Sequence, residues 1–398
     1  MKKNEKWLLP QGIEEALPAE AARLENLRRQ ILDMYASWGY QLVIPPTIEY
    51  LDSLLTGTGS DLDLQTFKLI DQLTGKSLGI RADMTPQVAR IDAHHLKTEI
   101  SRLCYMGTVL HTVPDGFAGS RSPLQVGAEL YGHAGVESDV EVIELMLRTL
   151  AKAGLDQVYL DLGHVGIYRS LAKQVGLNSA QEAELFDMMQ RKALPEIGEF
   201  IKELALDASI ADMLVKLPEL HGGENVIDQA LEVLKAASDD VLQALDYLKQ
   251  VSRVLKSRLP ELNLHYDLAE LRGYHFHTGI VFTALVPGQG QEVARGGRYD
   301  EIGEVFGRAR PATGFSTDLK TLINLGNVPV DDSVTAILAP ADADSELQSL
   351  IETLRADGET VIRLLPGQQS DAAAMNCNRE IQKTDNQWHV VEAKQDGE

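Results

Sequence analysis

The chain has 398 residues, of which 44% are hydrophobic and 24% are charged. This length is enough for two or three domains with their own cores, and the composition is typical of a folded globular protein rather than a disordered one. The formal charge of −22 repels nucleic-acid phosphates, and no run of lysines and arginines offsets it.

The sequence also lacks signals for export, membrane insertion and metal binding. No apolar run reaches the roughly 18 residues that a membrane helix needs. The N-terminal stretch MKKNEKWLLPQG reaches Pro10 before an apolar signal segment develops. The two cysteines, Cys104 and Cys377, have no metal-ligand spacing, and we expect no disulfide between them. We therefore expect a cytoplasmic protein with no membrane segment, no bound metal and no cofactor.

The first part of the chain alternates helical and strand patterns. Apolar residues at three- and four-residue steps predict a helix over residues 18–38. Residues 66–82 have the pattern of a hairpin with a glycine-containing turn. Asp83 and Thr85 follow it directly, and Pro86 opens the next helix, for which Thr85 is the predicted N-cap.

A second hairpin is predicted over residues 103–132. Its second strand alternates, so that Gln125 and Glu129 lie on one face and apolar residues lie on the other. Polar side chains on a sheet face suit a pocket for a small polar ligand. A strand whose polar face meets water has the same alternation, and the strand taken alone favours that simpler alternative.

The second half of the chain divides into three regions. Helical periodicity dominates residues 165–258, which we interpret as an insertion that carries no recognisable chemistry. Strand patterns return at 259–328, so the insertion splits one antiparallel domain made of residues 1–164 and 259–328. Residues 329–398 have the pattern of a small α/β unit, with 14 acidic residues against 5 lysines and arginines. Such an acidic unit is unsuited to gripping nucleic acid.

Two further segments carry candidate binding residues. Arg272 precedes Phe276 and His277 at a predicted strand entrance, and a guanidinium can clamp a carboxylate. A surface arginine followed by exposed rings would give the same pattern, and two alternating histidines alone are a weak metal signal. The GGRYD stretch, residues 296–300, is either a simple turn or a place where backbone approaches a ligand closely.

Taken together, these residue types suit a zwitterionic amino acid. Asp83 and Glu129 offer carboxylates to an ammonium group. Thr85 and Gln125 add a hydroxyl and an amide, and the cation of Arg272 suits a carboxylate. Neither a GxxxxGK[ST] nor a GxGxxG phosphate loop is present, and the spacing of the residues supports no catalytic nucleophile or carboxylate pair.

Six segments occur in an order and at a spacing that are highly specific in combination. In chain order they are GYQLVIPPTIE, RADMT, SPLQVGAELYG, ELRGYHFHTGIVF, GGRYDEI and PATGFSTDLKTL. Over residues 7–325 this series resembles histidyl-tRNA synthetase, a class II aminoacyl-tRNA synthetase. The first, third and sixth segments are similar to motifs 1, 2 and 3 of that class, and the other three to its histidine-binding segments.

The resemblance implies both a fold and a ligand. The implied fold is α+β: a class II synthetase-like antiparallel sheet flanked by helices, with the helical insertion and a small C-terminal α/β unit. Asp83 stands in place of a glutamate and Phe276 and His277 in place of two tyrosines, so the implied pocket is altered. The implied histidine-binding residues are Asp83, Thr85, Gln125, Glu129, Arg272, Phe276 and His277.

Two departures from the synthetase pattern concern ATP. His111 stands where motif 2 carries an arginine, and Thr321 stands where motif 3 carries one. In the synthetases those guanidiniums bind ATP phosphates, and electrostatic stabilisation of this type is often worth ~3–4 kcal/mol per donor. The resemblance therefore implies that ATP-binding positions and the aminoacylation activity have been lost.

A synthetase-like body with these losses is similar to the regulatory subunits of ATP phosphoribosyltransferase. The resemblance implies a non-catalytic subunit that activates and feedback-regulates the short-form catalytic subunit in the first step of histidine biosynthesis. It also implies L-histidine as the effector, a class II-type dimer and no binding of tRNA. The alternatives are a divergent histidyl-tRNA synthetase, an amino-acid-activating ligase, and an amino-acid sensor with another partner.

Overall fold

The computed structural model describes residues 8–56, 60–114, 120–274, 276–327 and 336–393. The chain forms two units, Met1–Val328 and Pro329–Glu398. None of the described helices is both long and apolar enough to cross a membrane.

Strands and helices alternate along the larger unit, and the smaller unit repeats the alternation on a reduced scale. The strands are β1 (Gln41–Leu42), β2 (Ile48–Tyr50), β3 (Phe67–Ile70), β4 (Ser77–Ile80), β5 (Ser101–Thr108), β6 (Leu124–Tyr131), β7 (Tyr159–His164), β8 (His221–Gly222), β9 (Asn263–Asp267), β10 (Ile280–Leu285), β11 (Ala294–Arg298), β12 (Ala312–Asp318), β13 (Ala336–Ala339), β14 (Thr360–Arg363), β15 (Arg379–Thr384) and β16 (Gln387–Glu392). The helices are α1 (Pro18–Ser37), α2 (Leu51–Leu54), α3 (Ser60–Gln65), α4 (Thr85–His95), α5 (Val136–Lys152), α6 (Val165–Val175), α7 (Ser179–Gln190), α8 (Leu194–Glu203), α9 (Ala208–Lys216), α10 (Val226–Val233), α11 (Asp239–Arg258), α12 (Leu319–Leu325) and α13 (Ser345–Ala356).

A nine-stranded sheet, in the described residues, organises the larger unit. Its strand order is β1-β5-β6-β12-β11-β10-β7-β9-β8. The β1–β5 and β7–β9 pairs are parallel, and the other neighbours are antiparallel. Strands from both sides of the helical insertion meet in this sheet, and the predicted α+β class with a mainly antiparallel sheet is confirmed.

One face of this sheet is covered by α1 and α5. Helix α1 buries Leu27, Ile31 and Tyr35 at four-residue steps, which places their side chains on one stripe. The Tyr35 hydroxyl lies 2.9 Å from that of Thr149 on α5, so its polar end is satisfied inside the core. The helices therefore seal this face and leave the opposite face of β6, β12 and β11 to form a site.

Helices α6 to α11 form the insertion. Helices α6 and α11 pack against each other, and α11 also contacts α5 and β7. A glycine with φ of 76°, Gly176, ends α6 in the left-handed conformation that suits glycine. The last part of the insertion consists of two helices, because α10 ends at Val233 and α11 begins at Asp239.

The smaller unit is built on a four-stranded sheet, in the order β14-β13-β15-β16, within the described residues. Strand β13 is parallel to β14 and β15, and β15 and β16 form an antiparallel hairpin. Asp385 and Asn386 turn this hairpin with φ of 52° and 65°, a conformation that Asn and Asp tolerate better than most residues. Helix α13 buries Leu347 and Ile351 against the sheet.

The structure corrects one predicted turn. Residues 296–298 of the GGRYD stretch belong to strand β11, which pairs with β10 and β12 on its two sides. A Cβ at Gly296 would lie 2.2 Å from the carbonyl oxygen of Gly314. The glycine therefore serves the close approach of two neighbouring strands rather than a change of chain direction.

Candidate functional site

The site lies on the face of the large sheet that carries Glu129. In the sheet register Tyr105 pairs with Gly127, Glu129 pairs with Gly314, and Gly314 pairs with Gly297. Residues directly opposite each other in antiparallel strands point to the same face. Tyr105 and three glycines therefore lie on the same face as Glu129, and the glycines leave space that the side chains of Tyr105, Glu129 and His277 occupy.

Glu129 is the central polar group of this face. Its side chain is buried, with the residue only 1% exposed. The hydroxyl of Tyr105 donates to Oε1 over 2.9 Å, and the hydroxyl of Tyr299 donates to Oε2. A Cβ at Gly314 would lie 1.4 Å from Oε2, so the carboxyl group occupies the space that a side chain there would fill. A solvent-facing role for Glu129 is excluded.

Burial controls the protonation of Glu129. Desolvation raises the pKa of its carboxyl group to about 8, although the hydrogen bonds from Tyr299 and Tyr105 favour the charged form. The nearby carboxylate of Asp83 raises this pKa further. A cationic group placed beside Glu129 would favour its ionised form, so the site is suited to receiving positive charge.

Asp83, Gln125 and Thr85 form a connected network at the edge of this face. Gln125 Nε2 donates to Asp83 Oδ1 over 2.8 Å, and the backbone nitrogen of Met84 donates to Gln125 Oε1 over 3.0 Å. The hydroxyls of Thr85 and Tyr105 lie 3.1 Å apart. Because Tyr105 also contacts Glu129, one hydrogen-bonded chain joins the two carboxyl groups.

The predicted N-cap role of Thr85 is wrong. Helix α4 begins at Thr85, and its N-cap residue is Met84, whose side chain makes no capping bond. Instead, Asp83 Oδ1 accepts from the backbone nitrogen of Thr85 over 2.9 Å. The carboxylate thus satisfies a helix N-terminal donor while it faces the site.

Phe276 and His277 close one side of the cluster. The Phe276 ring stacks on Tyr299 with centroids 5.0 Å apart, and the His277 ring lies edge-on to Phe276 at 5.3 Å. Burial lowers the pKa of His277 to about 4, so its imidazole is neutral. Its Nδ1 is buried without a hydrogen-bond partner among the described residues. A Cβ at Gly297 would lie 2.7 Å from this nitrogen, so glycine there makes room for the ring.

Arg272 differs from the other predicted binding residues. Its Nη1 lies 2.6 Å from Glu292, and its Nε lies 3.2 Å from Glu270. Among the described residues these two carboxylates are its ion-pair partners, and neither belongs to the Asp83–Glu129 network. The structure thus brings Asp83, Thr85, Gln125, Glu129 and the two ring residues together, while Arg272 is held by other carboxylates.

The two positions that lack an arginine are occupied by residues with local bonds. His111 Nε2 lies 2.9 Å from the carbonyl oxygen of Ala82. The hydroxyl of Thr321 donates to Asp318 Oδ2 over 2.8 Å at the start of α12. Asp318 in turn accepts from the backbone nitrogen of Leu124 through Oδ1 over 2.8 Å. Neither side chain carries a guanidinium that could hold a phosphate.

Three residues of the site were not singled out from the sequence: Tyr105, Tyr299 and Gly314. Tyr105 lies inside an apolar run, where a tyrosine is usually a core residue. Tyr299 belongs to the GGRYD stretch, and its aromatic side chain next to glycines was the signal that could have identified it as a site residue. The close approach of Gly314 to Glu129 depends on strand pairing between distant segments.

The polar groups of the site suit a small cationic organic ligand better than a metal ion. Within the described ranges, no group of three or more His, Cys, Asp or Glu side chains is arranged to hold a metal ion. The site offers two carboxyl groups, three hydroxyls and an amide, with aromatic rings on one side. These groups can receive an ammonium or imidazole nitrogen by hydrogen bonding.

Models of two known protein families match this chain, one in each unit. The model of the histidyl-tRNA synthetase family matches residues 12–322. A second model, described as the ATP phosphoribosyltransferase subunit HisZ C-terminal domain, matches residues 334–391.

Individual relatives match along nearly the whole chain. A protein of Thioalkalivibrio sulfidiphilus called ATP phosphoribosyltransferase regulatory subunit is 60% identical over 98% of this chain and 100% of its own length. A protein of the same name from Alkalilimnicola ehrlichii is 58% identical over 96% of both chains. The crystal structure of an ATP phosphoribosyltransferase regulatory subunit/histidyl-tRNA synthetase from Bacillus halodurans has a TM-score of 0.82 at 28% identity, and covers 94% of this chain and 97% of that one.

Proposed function

Because the chain belongs to the family of ATP phosphoribosyltransferase regulatory subunits, which has the fold of histidyl-tRNA synthetase, we propose that it activates and feedback-regulates a short-form catalytic subunit in the first step of histidine biosynthesis. Its effector is L-histidine, and the site around Glu129 is where histidine binds. The expected location of this biosynthetic complex is the cytoplasm.

The buried Glu129 cluster is the observation that carries the choice of ligand. Glu129 and Asp83 present two carboxyl groups that are linked by hydrogen bonds, and the rings of Phe276 and His277 lie beside the same cluster. The ammonium and imidazole nitrogens of histidine can donate hydrogen bonds to these two carboxyl groups. The carboxylate of histidine would then be directed towards Arg272.

The ATP positions support a non-catalytic role. His111 and Thr321 are engaged in local hydrogen bonds and carry no permanent positive charge for a phosphate. Loss of one preorganised donor commonly costs ~3 kcal/mol of transition-state stabilisation, so the loss of two should abolish useful adenylation. The acidic C-terminal segment, with a balance of −9 over residues 329–398, disfavours tRNA binding.

An exposed apolar face supports a class II-type dimer of this chain. The three-stranded sheet β2-β4-β3 carries Ile48, Tyr50 and Leu69 on one face, and these residues are 46%, 45% and 40% exposed. Ile44, just before this sheet, is 81% exposed. Apolar side chains grouped in this way are typical of protein–protein contacts, and Ile44 and Ile48 lie in the segment that resembles motif 1.

Feedback regulation requires histidine to favour one state of the complex. A ligand shifts an equilibrium only by its difference in affinity for the two states, and such coupling is typically ~1–3 kcal/mol. The subunit without histidine should activate its catalytic partner, and bound histidine should stabilise the less active arrangement.

A direct test is calorimetric titration of the protein with L-histidine, alongside an assay of histidine-dependent ATP–pyrophosphate exchange. We expect binding without exchange. Exchange above background would instead favour the divergent synthetase, and absence of binding would contradict the site.

The variant Arg272→Ala should still assemble with the catalytic subunit but escape histidine inhibition, and unchanged inhibition would contradict the role of Arg272.

A further inference from the structure

Arg272 is already neutralised by acidic residues in the structure. Glu292 Oε2 lies 2.6 Å from Nη1 of Arg272, and Glu270 Oε2 lies 3.2 Å from its Nε. Glu292 Oε1 also lies 3.3 Å from Nη1 of Arg295. Glu292 therefore bridges two arginines, and any ligand carboxylate that approaches Arg272 meets this bridge.

The sheet register places the bridge beside the proposed histidine site. Arg295 pairs with Ser316 on β12, and Ser316 pairs with Gly127 on β6. All three point to the face that carries Glu129, because directly opposed residues share a face. Two strand spacings separate Arg295 from Gly127, a distance of roughly 10 Å. This is the scale of one small amino-acid ligand.

Glu292 is charged in this setting. Partial burial of its side chain opposes ionisation, but Arg272, Arg295 and a backbone hydrogen bond together outweigh that effect, and the pKa of the carboxyl group falls below its ordinary value. At neutral pH the bridge therefore contains a carboxylate that competes with any incoming carboxylate. A ligand without a carboxylate does not enter this competition.

We propose that Glu292 sets the selectivity of the site between carboxylate-bearing and carboxylate-free imidazole amines by competing with the ligand for Arg272. This inference rests on the proposed histidine site and names the residue that tunes it. The competition weakens histidine binding and leaves binding of the corresponding amino alcohol unaffected. Glu292 is thus a specificity-determining residue of the effector site.

The test compares L-histidine with L-histidinol, which keeps the imidazole and the amine but has an alcohol in place of the carboxylate. Dissociation constants for both are measured by calorimetry on the full-length protein and on Glu292→Gln. Glutamine keeps the size and removes the charge, so histidine should bind roughly three- to fivefold more tightly while histidinol is unchanged. Arg272→Gln should bring the two affinities closer together than in the unaltered protein.

Glu359→Gln is the matched control, because Glu359 also pairs with an arginine, Arg379, at 2.6 Å, but lies in the C-terminal unit. It should change neither constant. Equal changes for both ligands in Glu292→Gln, or no change, would overturn the inference, and Glu292→Ala provides the same comparison should the glutamine variant fail to fold. If the unaltered protein binds histidinol but not histidine, the inference about Glu292 is wrong, although a site for the amine remains. If the protein binds neither ligand, the proposed function is wrong as well.

Discussion

At the scale of single residues, the carboxyl group of Glu129 is buried and accepts hydrogen bonds from neutral hydroxyl groups. Two tyrosine hydroxyls donate to its carboxyl group, and Gly314 leaves the space that the carboxyl fills. Burial raises its pKa to about 8, so in the folded protein the carboxyl group retains a proton that the unfolded chain would release near pH 4.5. Folding and protonation are therefore linked at this position.

Glu129→Gln tests this linkage. The raised pKa means that the folded state binds the proton more tightly, so the stabilising contribution is complete below pH 4.5 and is lost as pH rises towards about 8. Relative to the unaltered protein, the glutamine variant should become progressively more stable across this interval. Urea unfolding at several pH values measures the difference, and a difference that does not vary with pH would contradict the buried protonated carboxyl.

Gly314→Ala tests the space beside Glu129. The added Cβ would lie 1.4 Å from Oε2, so the carboxyl group or the strand must move. We expect a loss of ~1–3 kcal/mol in the free energy of unfolding and about tenfold weaker histidine binding. Gly198→Ala is the control, because a Cβ there meets no atom within 4 Å and helix α8 favours alanine. Full histidine affinity in Gly314→Ala would contradict the role of this glycine.

Sequence patterns located only part of the site at this scale. Period-two alternation correctly placed Gln125 and Glu129 on one face, since strand geometry is local. The tyrosines that hold Glu129 come from positions 24 and 170 residues away in the chain. No local pattern encodes such contacts, and they became visible only when the strand pairing was known.

At the scale of elements, a buried ion pair joins α5 to the end of β11. Arg298 Nη2 lies 2.9 Å from Asp139 Oδ1, and the same guanidinium contacts the hydroxyl of Ser138 and the carbonyl of His133. Both charged side chains are almost fully buried. The pair fixes the strand that leads directly into Tyr299 and therefore supports the site from behind.

Arg298→Met should leave Asp139 as an unpaired buried carboxyl. Breaking one side of a buried pair typically costs ~3–5 kcal/mol, which denaturant unfolding would measure. Arg28→Ala, which removes an exposed partner of Glu25 at 3.6 Å, should cost no more than ~1 kcal/mol. Similar small losses in both variants would show that the Arg298 pair does not hold α5 and β11 together.

Helices and strands were predicted correctly where the apolar periodicity was strong. The prediction failed at glycines, because glycine occurs both in turns and where two strands pack closely. The helix at 18–38 and the hairpin at 66–82 are confirmed as α1 and the β3–β4 pair. The glycines of GGRYD suggested a turn, but they permit close strand packing in β11. Strand β15 was not identified, because its sequence REIQKT is mostly polar and buries one residue, Ile381.

At the scale of the whole molecule, the exposed face of β2-β4-β3 leads to a prediction about assembly. Ile48→Glu places a charge on this apolar face and should convert the proposed dimer to a monomer, as measured by sedimentation velocity. Leu365→Glu, at a residue 69% exposed in the C-terminal unit, should leave the dimer intact. A dimer that persists in Ile48→Glu would exclude this face as the interface.

The fold class was predictable at this scale because six ordered segments resemble one family, which constrains topology far more strongly than periodicity does. The family membership of the chain supports that resemblance along nearly all of its length. The proposed partner interface and the proposed response to histidine would depend on a second chain, whose contacts leave no local signature in this sequence.

The most direct test mixes this protein with the short-form ATP phosphoribosyltransferase catalytic subunit and measures turnover as L-histidine is added. We expect the protein to form a complex and to raise turnover. Histidine should then lower turnover in this complex, but much less in a complex carrying Glu129→Gln. A catalytic subunit whose turnover does not change on addition of this protein, or a complex whose turnover does not change with histidine, would contradict the proposed function.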